Sequence, residues 1–293
     1  INVLVLISVL FWGAWGIFEK KALTGSTAKD VAVLLYLFNI AQIPIFIGIL
    51  SFVEPGWSLS PSVIGWSFAA SLCYAFGIVA YLSVLKRIDA SYVIGSTACY
   101  PIVTIFLAAS FLGEPLIASR LIGALLVAGG VFAICKTGMG PNNELAASQR
   151  SFYAFCLFLT CLTFSLRSIC SKLALLDATP LEVYLGKCIW DLFFIFVVVY
   201  LFRRQGHKFD LLKKRTIMFC SASTLCLALG GFACLAAMDR CSASYVVAIT
   251  SCYPVVMYLL ALVFLKEQFS KLRFAGISIL VMGAILLQYT QSM

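Results

Sequence analysis

Apolar runs of about 20 residues recur along almost the whole chain. Each run is long enough to cross about 30 Å of hydrocarbon as an α-helix, which satisfies its own backbone hydrogen bonds in lipid. The pattern therefore predicts an all-α polytopic membrane protein with ten transmembrane helices. We place these helices near residues 2–20, 30–53, 62–85, 90–112, 117–135, 151–174, 180–202, 215–238, 242–265 and 271–289.

The composition excludes a soluble domain. The 293 residues are 62% hydrophobic and 11% charged, and a water-soluble fold with that content would expose a very large apolar surface. The first run carries Trp12 and Trp15 and lacks a small-residue cleavage site, so we interpret it as a membrane span and not as a signal peptide. A start at Ile1 suggests that a further segment precedes it.

One stretch of about forty residues occurs twice, in register. Residues 91–130 and 244–283 share different residue types at a constant interval of 153, which a common apolar composition cannot produce. The matched pairs are Ser91 and Ser244, Tyr92 and Tyr245, Val93 and Val246, Cys99 and Cys252, Tyr100 and Tyr253, Pro101 and Pro254, Glu114 and Glu267, Arg120 and Arg273, Gly123 and Gly276, and Gly130 and Gly283. The chain is therefore an internal duplication.

A weaker series at an interval of 152 extends the duplication to the earlier spans; it includes Lys20 with Lys172 and Asn39 with Asp191. Together the two series predict a first five-helix repeat over 1–136, an inter-repeat loop over 137–150 and a second five-helix repeat over 151–293. Because five is odd, the second repeat enters the membrane inverted relative to the first. Inverted repeats place a substrate site near the midplane between the halves.

Basic residues are distributed unevenly between the loops. The odd-numbered loops hold sixteen Lys and Arg residues and the even-numbered loops hold three. The positive-inside rule then places both termini on the non-cytoplasmic side of a plasma or inner membrane. The same bias accounts for most of the +9 net charge, and the basic loops are too short to form a nucleic-acid-binding face.

No pattern of catalysis or metal binding stands out. The twelve cysteines are scattered and lack a CxxC pair, and His207 is the single histidine; zinc and redox sites need clustered ligands. Nucleotide-binding loops and hydrolase motifs are also missing from the sequence. We therefore expect neither an enzyme nor a bound cofactor.

Three charged residues lie deep inside predicted spans, at least seven residues from either end, where charge is costly and usually functional. Arg167 and Lys187 lie at a similar depth, and Asp191 follows Lys187 at i+4 on the same helix face. One interpretation is a structural Lys187–Asp191 pair with Arg167 extending outward to the interface. The other is a substrate or ion site, which we favour because the first repeat has the uncharged Asn39 and Trp15 at the positions of Asp191 and Arg167.

Two Tyr-Pro pairs lie in the middle of equivalent spans. Pro101 and Pro254 each remove a backbone donor and kink a helix, which produces either a static packing kink or a hinge. Symmetric placement favours hinges. Trp12 is a cavity candidate, because its indole N–H needs a partner in hydrocarbon. Glu114 is expected to pair with Arg120 at the interface, and Glu267 with Arg273.

The chain resembles the drug/metabolite transporter superfamily, EamA type. The resemblance rests on the two five-helix repeats, on the first-helix segment Phe11-Trp12-Gly13-Ala14-Trp15-Gly16, and on the helix ends Leu112-Gly113-Glu114 and Leu265-Lys266-Glu267 before Gly-rich helices. It implies a ten-helix bundle with a central cavity lined by helices 1, 3, 4, 6, 8 and 9. Well-described members usually keep both termini in the cytoplasm, opposite to the charge count here.

We therefore expect a secondary transporter of a small polar or amphipathic metabolite, in contact with membrane lipid, with a coupling proton and a homodimer as possible partners. The alternative is a non-transporting membrane protein, such as a lipid scramblase or an assembly partner. Arg167 and Lys187 would suit a carboxylate or phosphate, and Asp191 a proton or an amine. The predicted substrate-binding residues are Trp12, Asn39, Tyr100, Arg167, Lys187, Asp191 and Tyr253, with Pro101 and Pro254 as hinges.

Overall fold

A computed structural model describes residues 3–88, 93, 97, 100–136, 147–264 and 271–289, and over these residues the regular structure is entirely helical. We number the helices with several described residues in chain order. They are α1 (Val3–Leu23), α2 (Ala28–Ala41), α3 (Ile43–Val53), α4 (Pro61–Arg87), α5 (Tyr100–Leu112), α6 (Ala118–Lys136), α7 (Ala147–Ala174), α8 (Pro180–Arg204), α9 (Lys214–Arg240), α10 (Ala243–Thr250), α11 (Tyr253–Phe264) and α12 (Lys271–Tyr289).

Seven of the described helical segments are long and apolar enough to cross a membrane. The protein is therefore an integral, multi-pass membrane protein. Three further apolar helices are shorter, at Tyr100–Leu112, Ala118–Ala133 and Phe274–Gly283. Within the predicted inter-repeat loop, residues 137–146 lie outside the described residues, and residues 147–150 form the first turn of α7.

The predicted span 30–53 is divided between α2 and α3, with Gln42 at the junction. Pro44 lies in the first turn of α3, where its missing N–H is tolerated. A second division occurs in the predicted span 242–265, where α10 ends at Thr250 and α11 begins at Tyr253, immediately before Pro254. A helix interrupted at membrane depth leaves backbone groups that other helices must satisfy.

The glycines of the duplicated stretch bring α6 and α12 into backbone contact. A Cβ added to Gly130 would lie 2.5 Å from the carbonyl oxygen of Gly276, and a Cβ added to Gly283 would lie 2.7 Å from that of Gly123. Such small residues let membrane helices approach closely enough to pack backbone on backbone. Each pair of duplicated glycines therefore contributes to one reciprocal helix contact.

The helices around the middle of the molecule pack in two matching sets. The first helix, α1, packs against α9 and α11, while α7 packs against α4 and α5. Trp12 on α1 lies over Gly230 of α9, and Phe164 on α7 lies over Gly77 of α4. Ser165 Oγ also donates to the carbonyl of Tyr100, 2.9 Å away. The Ser165 bond ties α7 to the residue that precedes Pro101.

Two lysines close the carboxyl ends of two helices. Lys20 Nζ donates to the carbonyls of Leu85 and Ile88 at the end of α4, both at 3.0 Å. Lys172 Nζ donates to the carbonyls of Met238 and Cys241 at the end of α9. A cation at a helix C-terminus satisfies orphan carbonyls and interacts favourably with the helix dipole.

Two helices begin with equivalent capping boxes. Thr27 and Asp30 bond reciprocally at the start of α2, and Thr179 and Glu182 do so at the start of α8. The predicted Glu114–Arg120 pair is confirmed, with 3.5 Å between Oε2 and Nη1. Its duplicate cannot be followed, because Glu267 and the side chain of Arg273 lie outside the described residues.

Candidate functional site

A cavity of about 130 Å³ lies between eight of the helices, and we call it the central cavity. All seven predicted substrate-binding residues line it. They approach from α1, α2, α5, α7, α8 and α11, so residues far apart in sequence are brought around one space. The full lining is Trp12, Trp15, Asn39, Tyr74, Ile78, Tyr100, Phe164, Arg167, Ser168, Ser171, Tyr184, Lys187, Cys188, Asp191, Leu227, Gly231, Cys234, Leu235, Met238 and Tyr253.

Arg167 presents its guanidinium to the cavity. The Cζ atom lies 4.4 Å from the centre of the Tyr74 ring, a cation–π distance. Among the residues that the structure describes, the guanidinium has neither a hydrogen bond nor an ion pair, although its side chain is half-buried. An arginine has five N–H donors arranged to fit a carboxylate or phosphate. Its donors are therefore available to a ligand or to water.

Lys187 and Asp191 are both buried, with 8% and 6% of their surface exposed. Lys187 Nζ donates to Ser171 Oγ at 3.3 Å, and Asp191 Oδ2 accepts from Asn39 Nδ2 at 3.2 Å. The two charges do not form the ion pair that one interpretation of the sequence required, and Arg167 points inward instead of toward the interface. Each charge is held by a neutral neighbour.

Asn39 and Asp191, which occupy equivalent positions in the duplication, therefore contact each other directly. Gln42 extends this polar group: its amide nitrogen lies 3.5 Å from Asn39 Oδ1, and its Oε1 accepts from Tyr184 Oη at 3.1 Å. The sequence prediction omitted Gln42, Tyr184 and Ser171. An uncharged polar residue in the apolar run of α2 was the signal that could have identified Gln42.

The opposite part of the lining is aromatic. Trp12 meets Tyr253 edge to face, with ring centroids 6.3 Å apart, and Trp15 lies 6.2 Å from the same ring. Trp12 can occupy this position because a Cβ on Gly230 would lie 2.6 Å from its indole. Aromatic faces of this kind bind planar or apolar groups.

The segments around the two Tyr-Pro pairs carry their own polar contacts. Pro101 cannot donate to the carbonyl of Thr97, four residues earlier, and Cys161 Sγ donates to that carbonyl at 3.7 Å. The Thr97 hydroxyl and Tyr253 Oη are 3.4 Å apart. Whether Pro101 and Pro254 act as hinges stays a prediction.

The cavity wall also contains an unsatisfied hydroxyl. Tyr74 Oη is buried and has no hydrogen-bond partner among the described residues. The Oη of Tyr36, whose ring contacts that of Tyr74, is also buried without a partner among them. Buried polar atoms without partners are costly unless water or a ligand reaches them. No group of three or more His, Cys, Asp or Glu residues that could hold a metal occurs in the described part of the chain.

One of the comparisons with known proteins identifies a family. The model of the EamA-like transporter family matches residues 1–135 and again residues 151–289. A search of curated proteins found no match. A solved structure titled "Crystal structure of protein" is similar in fold, with a TM-score of 0.75 and 16% identity over 99% of this chain and 97% of that one.

Proposed function

The chain belongs to the EamA-like transporter family, part of the drug/metabolite transporter superfamily, and from this premise we propose that it is a secondary transporter working by alternating access. The family consists of transporters and not of enzymes. The substrate that we propose is a small amphipathic metabolite carrying a carboxylate or phosphate.

The observation that carries this proposal is the guanidinium of Arg167 in the central cavity, whose N–H donors make no hydrogen bond and no close ion pair with the described residues. Lys187 and Asp191 line the same space, so the charged groups there have a net formal charge of +1. A desolvated cavity with one excess positive charge favours an anion. Trp12, Trp15 and Tyr253 offer the complementary surface for an apolar or planar part.

Alternating access is supported by the correspondence between the two halves. Lys20 and Lys172 cap the ends of α4 and α9 at carbonyls that the duplication relates. The reciprocal glycine contact of α6 and α12 and the two family matches favour the same arrangement, two inverted five-helix repeats. In such folds one repeat rocks against the other around a site between them.

Flux measurements in proteoliposomes test the proposal. Purified protein is reconstituted, and uptake of a radiolabelled hydroxycarboxylate, an amino acid and a sugar phosphate is measured beside a neutral polyol. We expect saturable uptake of at least one anionic solute and none of the polyol. Lipid flipping without saturable solute flux would overturn the proposal in favour of the scramblase alternative.

A further inference from the structure

Glu19 is an ionisable residue that was not among the predicted site residues and does not line the central cavity. It lies in α1 and is fully buried. Its Oε1 accepts a long hydrogen bond of 3.5 Å from Ser223 Oγ of α9. Its Oε2 has no hydrogen-bond partner within the described ranges. A buried carboxylate with so little support is costly unless it carries a proton.

The nearest cations are occupied elsewhere. Lys20 Nζ bonds the carbonyls at the end of α4, and Lys21 Nζ lies over the rings of Phe219 and Phe264. The ion pairs of the described residues are Arg120–Glu114, His207–Asp30 and Lys213–Asp210. Glu19 therefore has no counter-ion among the residues that the structure describes.

The titratable groups that face Glu19 from neighbouring helices are neutral ones. Tyr81 and Tyr74 approach from α4, and Cys220 approaches from α9. Helix α11 reaches the same region through Tyr253, which contacts Trp15. The charged ends of the surrounding helices are engaged: Lys86 donates to the carbonyls of Leu23 and Ser26, Arg215 lies over Phe219, and Asp30 of α2 is held by His207.

A stacked pair of rings, Trp15 and Tyr81, links the surroundings of Glu19 to the central cavity. Trp15, which lines the cavity, lies one turn before Glu19, about 6 Å along the helix axis. Its ring stacks on Tyr81, with centroids 5.4 Å apart and planes 27° apart. Trp15 Nε1 and Tyr81 Oη both face the carboxyl of Glu19, and among the described residues neither donor reaches hydrogen-bond geometry in this conformation. Trp15 therefore borders both the substrate space and the carboxyl.

We propose that Glu19 binds the coupling proton of this transporter, behind the Trp15–Tyr81 ring pair. The inference rests on the proposed function and deepens it. In the occluded state the carboxylate and one proton form a neutral carboxylic acid. When α1 moves against α4 and α9, the ring pair opens, water reaches the carboxyl and the same proton leaves. Each cycle then carries one proton with the substrate and needs no other reactant.

Infrared titration of reconstituted protein tests the proton site without any substrate. The wild type is expected to show the carbonyl stretch of a buried protonated carboxyl near neutral pH, and Glu19→Gln is expected to lose that band. Ser223→Ala should keep it, because the carboxyl is still present, and so should Glu19→Asp if Glu19→Gln fails to fold. A band that persists in Glu19→Gln and disappears in Asp191→Asn would overturn the inference, and so would its absence from the wild type.

Flux measurements separate this inference from the proposed function. With a solute that the wild type carries in the proteoliposome panel, Glu19→Gln should exchange solute across the membrane but lose accumulation driven by a pH gradient. Accumulation equal to that of the wild type would overturn the role of Glu19 and leave the transporter proposal standing. Absence of flux in the wild type would overturn the transporter proposal, while the infrared result would still decide whether Glu19 holds a proton.

Discussion

The three charged side chains of the central cavity differ in whether neighbouring residues form hydrogen bonds with them. Lys187 and Asp191 each have a neutral hydrogen-bond partner, whereas the Arg167 guanidinium lies over the face of Tyr74 and makes no hydrogen bond with the residues that the structure describes. A group whose donors are already bonded must exchange partners to bind a ligand, and one with open donors need not. At this scale Arg167 is the residue that should dominate substrate binding.

Arg167→Gln is expected to weaken binding of the anionic substrate roughly ten- to hundredfold. A hydrogen bond to a charged group contributes about 1.5–3 kcal/mol, and glutamine keeps much of the side-chain length without the charge. The KM of saturable uptake measures the effect. Lys208→Gln, in an exposed loop, is the matched control, and an unchanged KM in Arg167→Gln would contradict the assigned role.

Some residues of the candidate sites could be identified from the sequence, and others could not. Arg167, Lys187 and Asp191 are conspicuous because charge is rare inside apolar runs, and the structure places them around one cavity. The functional role of all seven predicted residues stays a prediction. Glu19 was overlooked because it adjoins Lys20 and Lys21 near a helix end, where a carboxylate is ordinarily at the interface. Only the packing of α9 and α4 over it shows that it is buried.

At the scale of helices, the duplicated residues are used for packing and capping. The sequence showed that these glycines are duplicated but not what they contact; the structure pairs α6 with α12 through them. The break at Gln42 between α2 and α3 was not predicted, because Pro44 alone does not determine whether a span bends or is interrupted. Local chemistry located the helices, but which helices meet depends on the tertiary arrangement.

Gly130→Ala is expected to destabilise the protein by about 1–3 kcal/mol, the usual cost of overpacking. The added Cβ would lie 2.5 Å from a backbone carbonyl oxygen of α12, which cannot rotate away. Gly129→Ala is an ideal control, since a Cβ there meets nothing within 4 Å and alanine favours the helix by up to about 1 kcal/mol. Equal thermal unfolding temperatures for the two variants in detergent would contradict the packing account.

Lys172→Met should lower the unfolding temperature, because the end of α9 loses two charge-assisted hydrogen bonds. A hydrogen bond from a charged donor has a net contribution of about 1.5–3 kcal/mol, and methionine retains the apolar stem. Lys208→Met in the exposed loop provides the comparison. If both variants unfold at the wild-type temperature, the cap contributes nothing to stability.

At the scale of the whole molecule, the count of basic residues predicts one orientation in the membrane, and the usual orientation of well-described family members is the opposite one. Sixteen basic residues in the odd-numbered loops predict that these loops are cytoplasmic. The predicted inverted repeats would give the molecule nearly the same form when it is turned over, so the loop charges are the feature that distinguishes the two orientations. The direction of insertion therefore has to be measured.

A membrane-impermeant maleimide applied to intact cells measures the orientation. Single cysteines are introduced at exposed positions in two loops, Lys208→Cys and Ser58→Cys, and labelling is compared with the wild-type background. We expect labelling of Ser58→Cys alone, with Lys208→Cys reacting only after the membrane is permeabilised. The reverse pattern would mean that both termini are cytoplasmic.

The most direct test of alternating access at the central cavity is counterflow in proteoliposomes. A carrier with one site that opens to each side in turn should take up labelled substrate faster when unlabelled substrate is already inside. We predict this acceleration in the wild type, and for Arg167→Gln only at much higher substrate concentration. Uptake that does not depend on the internal substrate, or an Arg167→Gln variant indistinguishable from the wild type, would contradict the account.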